Sequence, residues 1–208
     1  MLLEGSGCGY LPMERENLAA TMEVNTPGDL KESFNVNSRE AQNKWPDLVD
    51  FKATCIDYFD RMVKLAFIIM RIFALALNLP TDYFDEYITP PNAVLRLLNY
   101  PALEGSPLPQ QLRSGEHTDY GTLTIVRPDS SGLQVYNRSA QWIDVKAPID
   151  SFVLLFTIFW SYVIFEFLNM KLYVVLVCTF HSILDSFANG LIDSVSQLDL
   201  SFRENELK

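Results

Sequence analysis

The chain of 208 residues contains only two histidines, His117 and His181. A site that needs three imidazoles is therefore excluded. The three cysteines, Cys8, Cys55 and Cys178, are widely spaced and form neither a CxxC pair nor a zinc-binding pattern. We expect them to be reduced, mostly buried thiols of a cytoplasmic protein.

Positive charge is also scarce. Lys and Arg number 16 against 26 Asp and Glu, which gives a formal net charge of −10. This balance argues against binding of nucleic acid through a general basic surface. The first residues show no basic stretch followed by an apolar core, so we expect no signal peptide. The chain is 49% hydrophobic and 20% charged, which favours a globular domain over a disordered chain.

Residues 47–78 carry the strongest helical pattern, and residues 1–46 before them are predicted to be polar and irregular. Asp47 is predicted to cap the helix, and Pro80 to stop it because its ring cannot continue the helix. A stripe of apolar residues at spacings of three or four favours packing against a core rather than a cofactor site. The stripe comprises Phe51, Cys55, Tyr58, Met62, Leu65, Ile69, Phe73 and Leu77.

The chain after residue 92 is predicted to form short strands. Their close spacing suggests a sandwich or barrel built on the preceding helix. Residues 137–141 are predicted to turn the chain between two of them. The predicted strands are 93–100, 121–127, 133–136, 142–145 and 152–155.

The sequence Glu116-His117-Thr118-Asp119 carries the chemistry. Residues two apart on an extended segment point to the same side, so an imidazole nitrogen and a carboxylate oxygen converge. Such a pair supplies two of the three ligands of the two-His-one-carboxylate facial triad. This triad binds Fe(II) and leaves coordination positions of the metal open for oxygen and an organic cosubstrate. A His beside an Asp can equally be structural, so the pattern alone leaves both readings open.

Several ordered motifs surround this pair. Together they resemble the 2-oxoglutarate and Fe(II)-dependent oxygenases, in their isopenicillin N synthase-like branch, over residues 9–154. The resemblance implies an α+β, mostly β fold: a partial double-stranded β-helix, or jelly roll, packed on a long N-terminal helix. The motifs are GDLKESF (28–34), LPTDYF (79–84), LRLLNYP (95–101), EHTDYGTLT (116–124), GLQV (132–135) and WIDV (142–145).

The resemblance also implies functional residues. His117 and Asp119 would be ligands of Fe(II), and Tyr100 would contact a carboxylate of the 2-oxoglutarate cosubstrate, for which its phenol is a suitable donor. The other partners implied are O₂ and a small organic substrate. Tyr100 can also be read as a core aromatic, and Arg96 and Arg113 as solvated or paired structural charges.

The family pattern stops near Leu154. The distal histidine of a Ser-Thr-x-His-Arg-Val pattern and the following Arg-x-Ser motif are missing. His181 is the only other histidine, and because Ser182-Ile183 follows it in place of Arg-Val, it is read either as an incidental residue or as a third ligand. We interpret residues 1–154 as an incomplete oxygenase-like domain. Residues 155–208 form a divergent tail whose composition suggests a retained intron or a shifted reading frame. Its atypical apolar part, residues 152–180, can also be read as a membrane tether, although charges enter any span of about 20 residues.

Three functions follow from the sequence. The first is an oxidoreductase of the Fe(II)- and 2-oxoglutarate-dependent dioxygenase type. The second is a non-catalytic remnant or interaction protein, and the third is a membrane-tethered protein. Neither the substrate nor the oligomeric state is assigned by the sequence, because fold alone does not imply them.

Overall fold

A computed structural model describes residues 8–38, 40–119, 121–137, 139–148, 150–156 and 173–179. They form one long helix, a six-stranded sheet and a separate two-stranded hairpin. The helices are α1 (Phe51–Ala76) and α2 (Asp85–Ile88), with 3₁₀ turns at Ala19–Met22 and Glu40–Gln42. The strands are β1 (Gly9–Leu11), β2 (Glu32–Asn37), β3 (Asn92–Asn99), β4 (Leu123–Arg127), β5 (Gln134–Tyr136), β6 (Trp142–Asp144), β7 (Val153–Phe156) and β8 (Tyr173–Thr179).

The large sheet has the strand order β1-β2-β3-β8-β4-β7. The pairs β1–β2, β2–β3 and β4–β7 are antiparallel, whereas β8 runs parallel to both of its neighbours, β3 and β4. Strands β5 and β6 form the hairpin, and the amide of Asn137 donates to the carbonyl of Gln141 at 2.9 Å across its turn, as predicted.

Helix α1 begins at Phe51, four residues later than the predicted start at 47. The residue before it, Asp50, has a left-handed backbone with φ of 59° and forms no side-chain capping hydrogen bond. The predicted cap at Asp47 is therefore wrong. The predicted stripe is confirmed within the helix, since Cys55, Tyr58 and Met62 are buried in the core that α1 makes with the sheet. Its last member, Leu77, lies beyond the end of α1 and is 38% exposed.

The two faces of β2 and β3 differ sharply in polarity. Phe34 pairs with Leu97, and all three residues Phe34, Leu95 and Leu97 belong to the apolar core against α1. Because strand side chains alternate between faces, the intervening pair of Asn35 and Arg96 lies on the opposite face. That polar face receives the segment carrying the candidate site.

The five predicted strands are confirmed within two residues, but three strands were not predicted. Residues 1–46 are not irregular throughout, because they contain β1 and the buried strand β2. Strand β8 lies within the apolar segment 152–180, where no periodicity was evident. In the described part of the chain, no helix has both the length and the apolar character needed to cross a membrane.

Candidate metal centre

The site is built on the segment that precedes β4. Gly115 is buried where this segment crosses the 3₁₀ turn at Ala19–Met22. A Cβ atom at Gly115 would lie 2.5 Å from the backbone nitrogen of Ala19 and 2.8 Å from its Cβ. Only glycine allows this approach, so the close packing fixes the path of the chain two residues before His117.

The side chains of His117 and Asp119 converge. Nε2 of His117 lies 3.5 Å from Oδ1 of Asp119, and the two side chains are 33% and 21% exposed. Nδ1 of His117 lies 2.8 Å from the carbonyl oxygen of Gly115. Because a carbonyl oxygen only accepts hydrogen bonds, we assign the proton of the neutral ring to Nδ1. The lone pair of Nε2 then lies on the side of the ring that faces Asp119.

The charges of the two side chains are coupled. The pKa of the His117 imidazole is raised above its ordinary value, chiefly because Nε2 of the protonated ring donates a hydrogen bond to Asp119, and this effect outweighs the opposing effect of burial. Burial alone would raise the pKa of the Asp119 carboxyl, but His117, Thr124 and Arg96 together outweigh it and lower the pKa.

The two donors fit a divalent transition metal. Donor atoms about 2.1 Å from a metal and at right angles lie about 3.0 Å apart, which a small side-chain adjustment from 3.5 Å would reach. One imidazole nitrogen and one carboxylate oxygen are also donors that suit Fe(II). No cluster of three or more His, Cys, Asp or Glu side chains occurs among the described residues. His181, the predicted third ligand, lies outside the described residues.

Tyr100 contacts the segment that precedes β4 from the end of β3. It follows β3 directly, is 36% exposed, and forms a hydrogen bond with the hydroxyl of Ser114. The Ser114 oxygen also lies 3.2 Å from Nζ of Lys31. The exposure of Tyr100 disfavours the reading of a core aromatic, and its role toward a cosubstrate stays a prediction.

Arg96 and Arg113 are paired, as the structural reading of both residues predicted. Arg96 donates to both carboxylate oxygens of Glu16, at 2.7 and 2.8 Å, and to Asn35 at 3.2 Å. Arg113 donates to the carbonyl of Pro101 at 2.6 Å. Both arginines therefore hold chain segments together.

The sequence did not predict a buried ion network behind the motif. Nζ of Lys31 lies 2.8 Å from Oδ2 of Asp29 and 3.0 Å from Oε2 of Glu16. The Lys31 and Asp29 side chains are 2% and 1% exposed. With Arg96 bound to Glu16, two positive charges balance two negative ones. A Lys two residues after an Asp was the available signal, but charged residues are seldom buried, so the pair does not by itself predict a buried network.

Comparisons with known proteins agree on one family. The chain is 31% identical over 173 residues to a 2-oxoglutarate-dependent dioxygenase of Monascus ruber, covering 70% of this chain and 50% of that protein. A full-length Neurospora crassa protein crystallised with α-ketoglutarate superposes with a TM-score of 0.59 and 34% identity, over 71% of this chain and 50% of that one. A 2OG-Fe(II) oxygenase family protein of Caulobacter crescentus gives a TM-score of 0.61 at 26% identity, over 74% and 52% of the two chains.

These matches are partial. The chain spans between a third and a half of the length of the curated relatives that it matches, for example 33%, 43% and 50%. No family model matches the sequence. The helix and sheets are therefore those of a part of the relatives' fold.

Proposed function

Since the chain belongs to the family of 2-oxoglutarate- and Fe(II)-dependent oxygenases, we propose that His117 and Asp119 hold Fe(II) and that the protein is an oxidoreductase. It acts on a small organic substrate with 2-oxoglutarate as cosubstrate. The observation that carries the proposal is the convergence of Nε2 of His117 and Oδ1 of Asp119 at 3.5 Å.

Fe(II), 2-oxoglutarate and O₂ together supply the oxidising power that this family directs at its substrates. The residues of this chain have simpler tasks. His117 offers a neutral nitrogen whose orientation is fixed by the carbonyl of Gly115. Asp119 adds a negative charge that offsets part of the charge of a divalent cation. We assign Tyr100 a hydrogen bond to a cosubstrate carboxylate. His181 is the only candidate for an imidazole third ligand that the sequence leaves, and it lacks the Arg-Val that follows this ligand in the family.

The finer architecture is part of the same proposal. Strands β3 and β4, with the first two residues of β7, would belong to a partial double-stranded β-helix within residues 1–154. Residues 155–208 would be the product of a retained intron or shifted frame. Sequencing of transcripts across the codon for Leu154 tests this origin. Transcripts that are abundant and match the tail without interruption would contradict it.

The substrate class is proposed as a small molecule. Solved complexes of the Neurospora crassa protein contain thymine and 5-formyluracil, which supports small organic ligands in this family. The net charge of −10 makes a polyanionic substrate such as nucleic acid unfavourable.

The central experiment measures release of CO₂ from 2-oxoglutarate labelled in its C1 carboxylate, with Fe(II) and ascorbate supplied. We expect turnover with the full chain and its loss in His117→Ala and Asp119→Ala. The His181→Ala variant tests the third ligand, since unchanged Fe(II) affinity would reject that role. Folded wild-type protein that binds Fe(II) but releases no CO₂ would contradict the proposed activity.

One observation favours a second candidate, a non-catalytic member that retains a metal site. The two cations beside the motif, Lys31 and Arg96, are both committed to carboxylates, at 2.8 Å and 2.7 Å. Neither is therefore available to clamp the carboxylate of a cosubstrate unless Glu16 or Asp29 releases it. Metal binding without 2-oxoglutarate binding, measured by calorimetry, would support this second candidate.

A further inference from the structure

The carboxylate of Asp29 joins three segments of the chain. Its Oδ1 accepts the backbone N–H of Gly115 at 3.1 Å. Its Oδ2 accepts from Nζ of Lys31 at 2.8 Å and from the backbone N–H of Leu18 at 3.3 Å. Both oxygens of Asp29 are thereby engaged, and the side chain is 1% exposed.

Gly115 connects Asp29 to the metal motif. Its N–H donates to Asp29 at 3.1 Å, and its carbonyl oxygen lies 2.8 Å from Nδ1 of His117. A rotation of the Gly115 backbone that broke the hydrogen bond from its N–H to Asp29 would also move the Gly115 carbonyl oxygen away from Nδ1 of His117. The orientation of the His117 ring is therefore tied to a carboxylate 86 residues before Gly115 in the sequence.

The ion network explains why this carboxylate can be buried. An unpaired buried carboxylate is costly, whereas one that is paired and hydrogen-bonded is tolerated. Lys31 pairs with Asp29, Glu16 pairs with Lys31 at 3.0 Å, and Arg96 holds Glu16 from β3. Asp29 is thus held by this network on one side and fixes Gly115 on the other.

We propose that Asp29 is a positioning residue of the metal centre, which orients the His117 ring through the backbone of Gly115. The inference rests on the proposed function, because it assigns His117 a metal to bind. Partners that orient a ligating histidine commonly change metal affinity by roughly 10- to 100-fold when they are removed. Asp29 would differ from most of them in acting through one intervening residue.

The test uses the full chain and Co(II) alone as the probe, with affinity and the visible d–d absorption as readouts. Asp29→Asn keeps the size of the side chain but leaves one acceptor oxygen for donors that now use two, so either Gly115 or the pair Lys31 and Leu18 faces an amide NH₂. We expect it to weaken Co(II) binding by roughly 10- to 100-fold and to change the absorption bands. Asp57→Asn, at a 50% exposed carboxylate that pairs with Arg61, is the matched control and should bind like wild type.

A second variant separates positioning from general stability. Lys31→Gln removes the buried cation but leaves the Asp29 carboxylate able to accept from Gly115. We expect a lower Tm and a loss of Co(II) affinity that is clearly smaller than the loss in Asp29→Asn. If Asp29→Asn is folded by circular dichroism and also binds Co(II) like wild type, or if both variants lose affinity equally, the positioning role is overturned.

A third measurement needs neither a variant nor a metal. In metal-free wild-type protein, the Gly115 amide should be protected from hydrogen exchange because it donates to a buried carboxylate. Exchange as fast as that of an exposed loop amide would overturn the inference even if Asp29→Asn fails to fold. Failure of wild-type protein to bind Co(II), with a protected Gly115 amide, would instead reject the metal function and leave the anchoring contact standing.

Discussion

The carbonyl oxygen of Gly115 and Nδ1 of His117 lie 2.8 Å apart, so the backbone selects which ring nitrogen of His117 faces Asp119. A histidine with Nδ1 bonded to a carbonyl binds metals through Nε2. The distance of 3.5 Å between Nε2 and Oδ1 of Asp119 places both donors at one point. The local chain geometry therefore prepares the two donors before any third ligand is supplied.

The proton position on His117 can be measured directly. With ¹⁵N-labelled histidine and Zn(II) as a diamagnetic probe, we expect Nδ1 to keep its proton while the Nε2 resonance shifts on metal addition. Only two histidines contribute signals, so the His181→Gln variant assigns them. A shift of Nδ1 in place of Nε2, or no shift of His117, would contradict the assignment.

Gly115→Ala should disturb both stability and the metal centre. The added Cβ would lie 2.5 Å from the backbone nitrogen of Ala19, where no flexible side chain can give way. Overpacking of this kind costs about 1–3 kcal/mol, so urea unfolding should shift to lower denaturant concentration and Co(II) binding should weaken. Thr118→Ala, an exposed neighbour on the same segment, should change stability by less than about 0.5 kcal/mol. A Gly115→Ala protein as stable as Thr118→Ala would show that the close approach is absent in solution.

Glu16 should contribute to the acid sensitivity of the fold. Burial raises the pKa of its carboxyl, but the nearby Arg96 and Lys31 outweigh burial and hold the pKa below the ordinary value of 4.5. A carboxyl whose pKa is lower in the folded state stabilises it fully above the unfolded pKa. This contribution is lost as pH falls through the folded pKa.

Thermal unfolding measured between neutral and acidic pH tests the sign of this effect. We expect the Tm of wild type to fall more steeply below about pH 4.5 than the Tm of Glu16→Gln, which is the less stable protein at neutral pH. Glu104→Gln, at an exposed loop position, should reproduce the wild-type profile. If the Tm of wild type and of Glu16→Gln fell in parallel with pH, Glu16 would not contribute to the acid sensitivity of the fold.

Local patterns predicted the elements in which one face is apolar. The stripe of α1 and the alternation of β3 are visible in the sequence because burial repeats with the period of the helix or strand. The start of α1 was misplaced because Asp47 has the chemistry of a cap, whereas the chain enters the helix through the left-handed backbone of Asp50. The residue type at position 50 does not reveal that its backbone is left-handed.

Three strands were not predicted, and the two longer ones, β2 and β8, were missed for different reasons. Strand β2 is buried on both faces, and its polar face of Ser33 and Asn35 hides an alternation that Phe34 and Val36 do show. Strand β8 owes its place to pairing with β3 and β4, which are distant in sequence. Its own residues carry an apolar run that fits helix or strand equally well.

The sequence by itself determined that the side chains of His117 and Asp119 point to the same side, because residues two apart on an extended chain do so. It also limited any imidazole ligands to two, since only His117 and His181 are present. The tertiary structure decided which nitrogen of His117 faces Asp119 and what holds it there. Asp29, Lys31, Glu16 and Arg96 come from separate segments, and only the folding of those segments onto one polar face brings their charges within 3.0 Å of a partner.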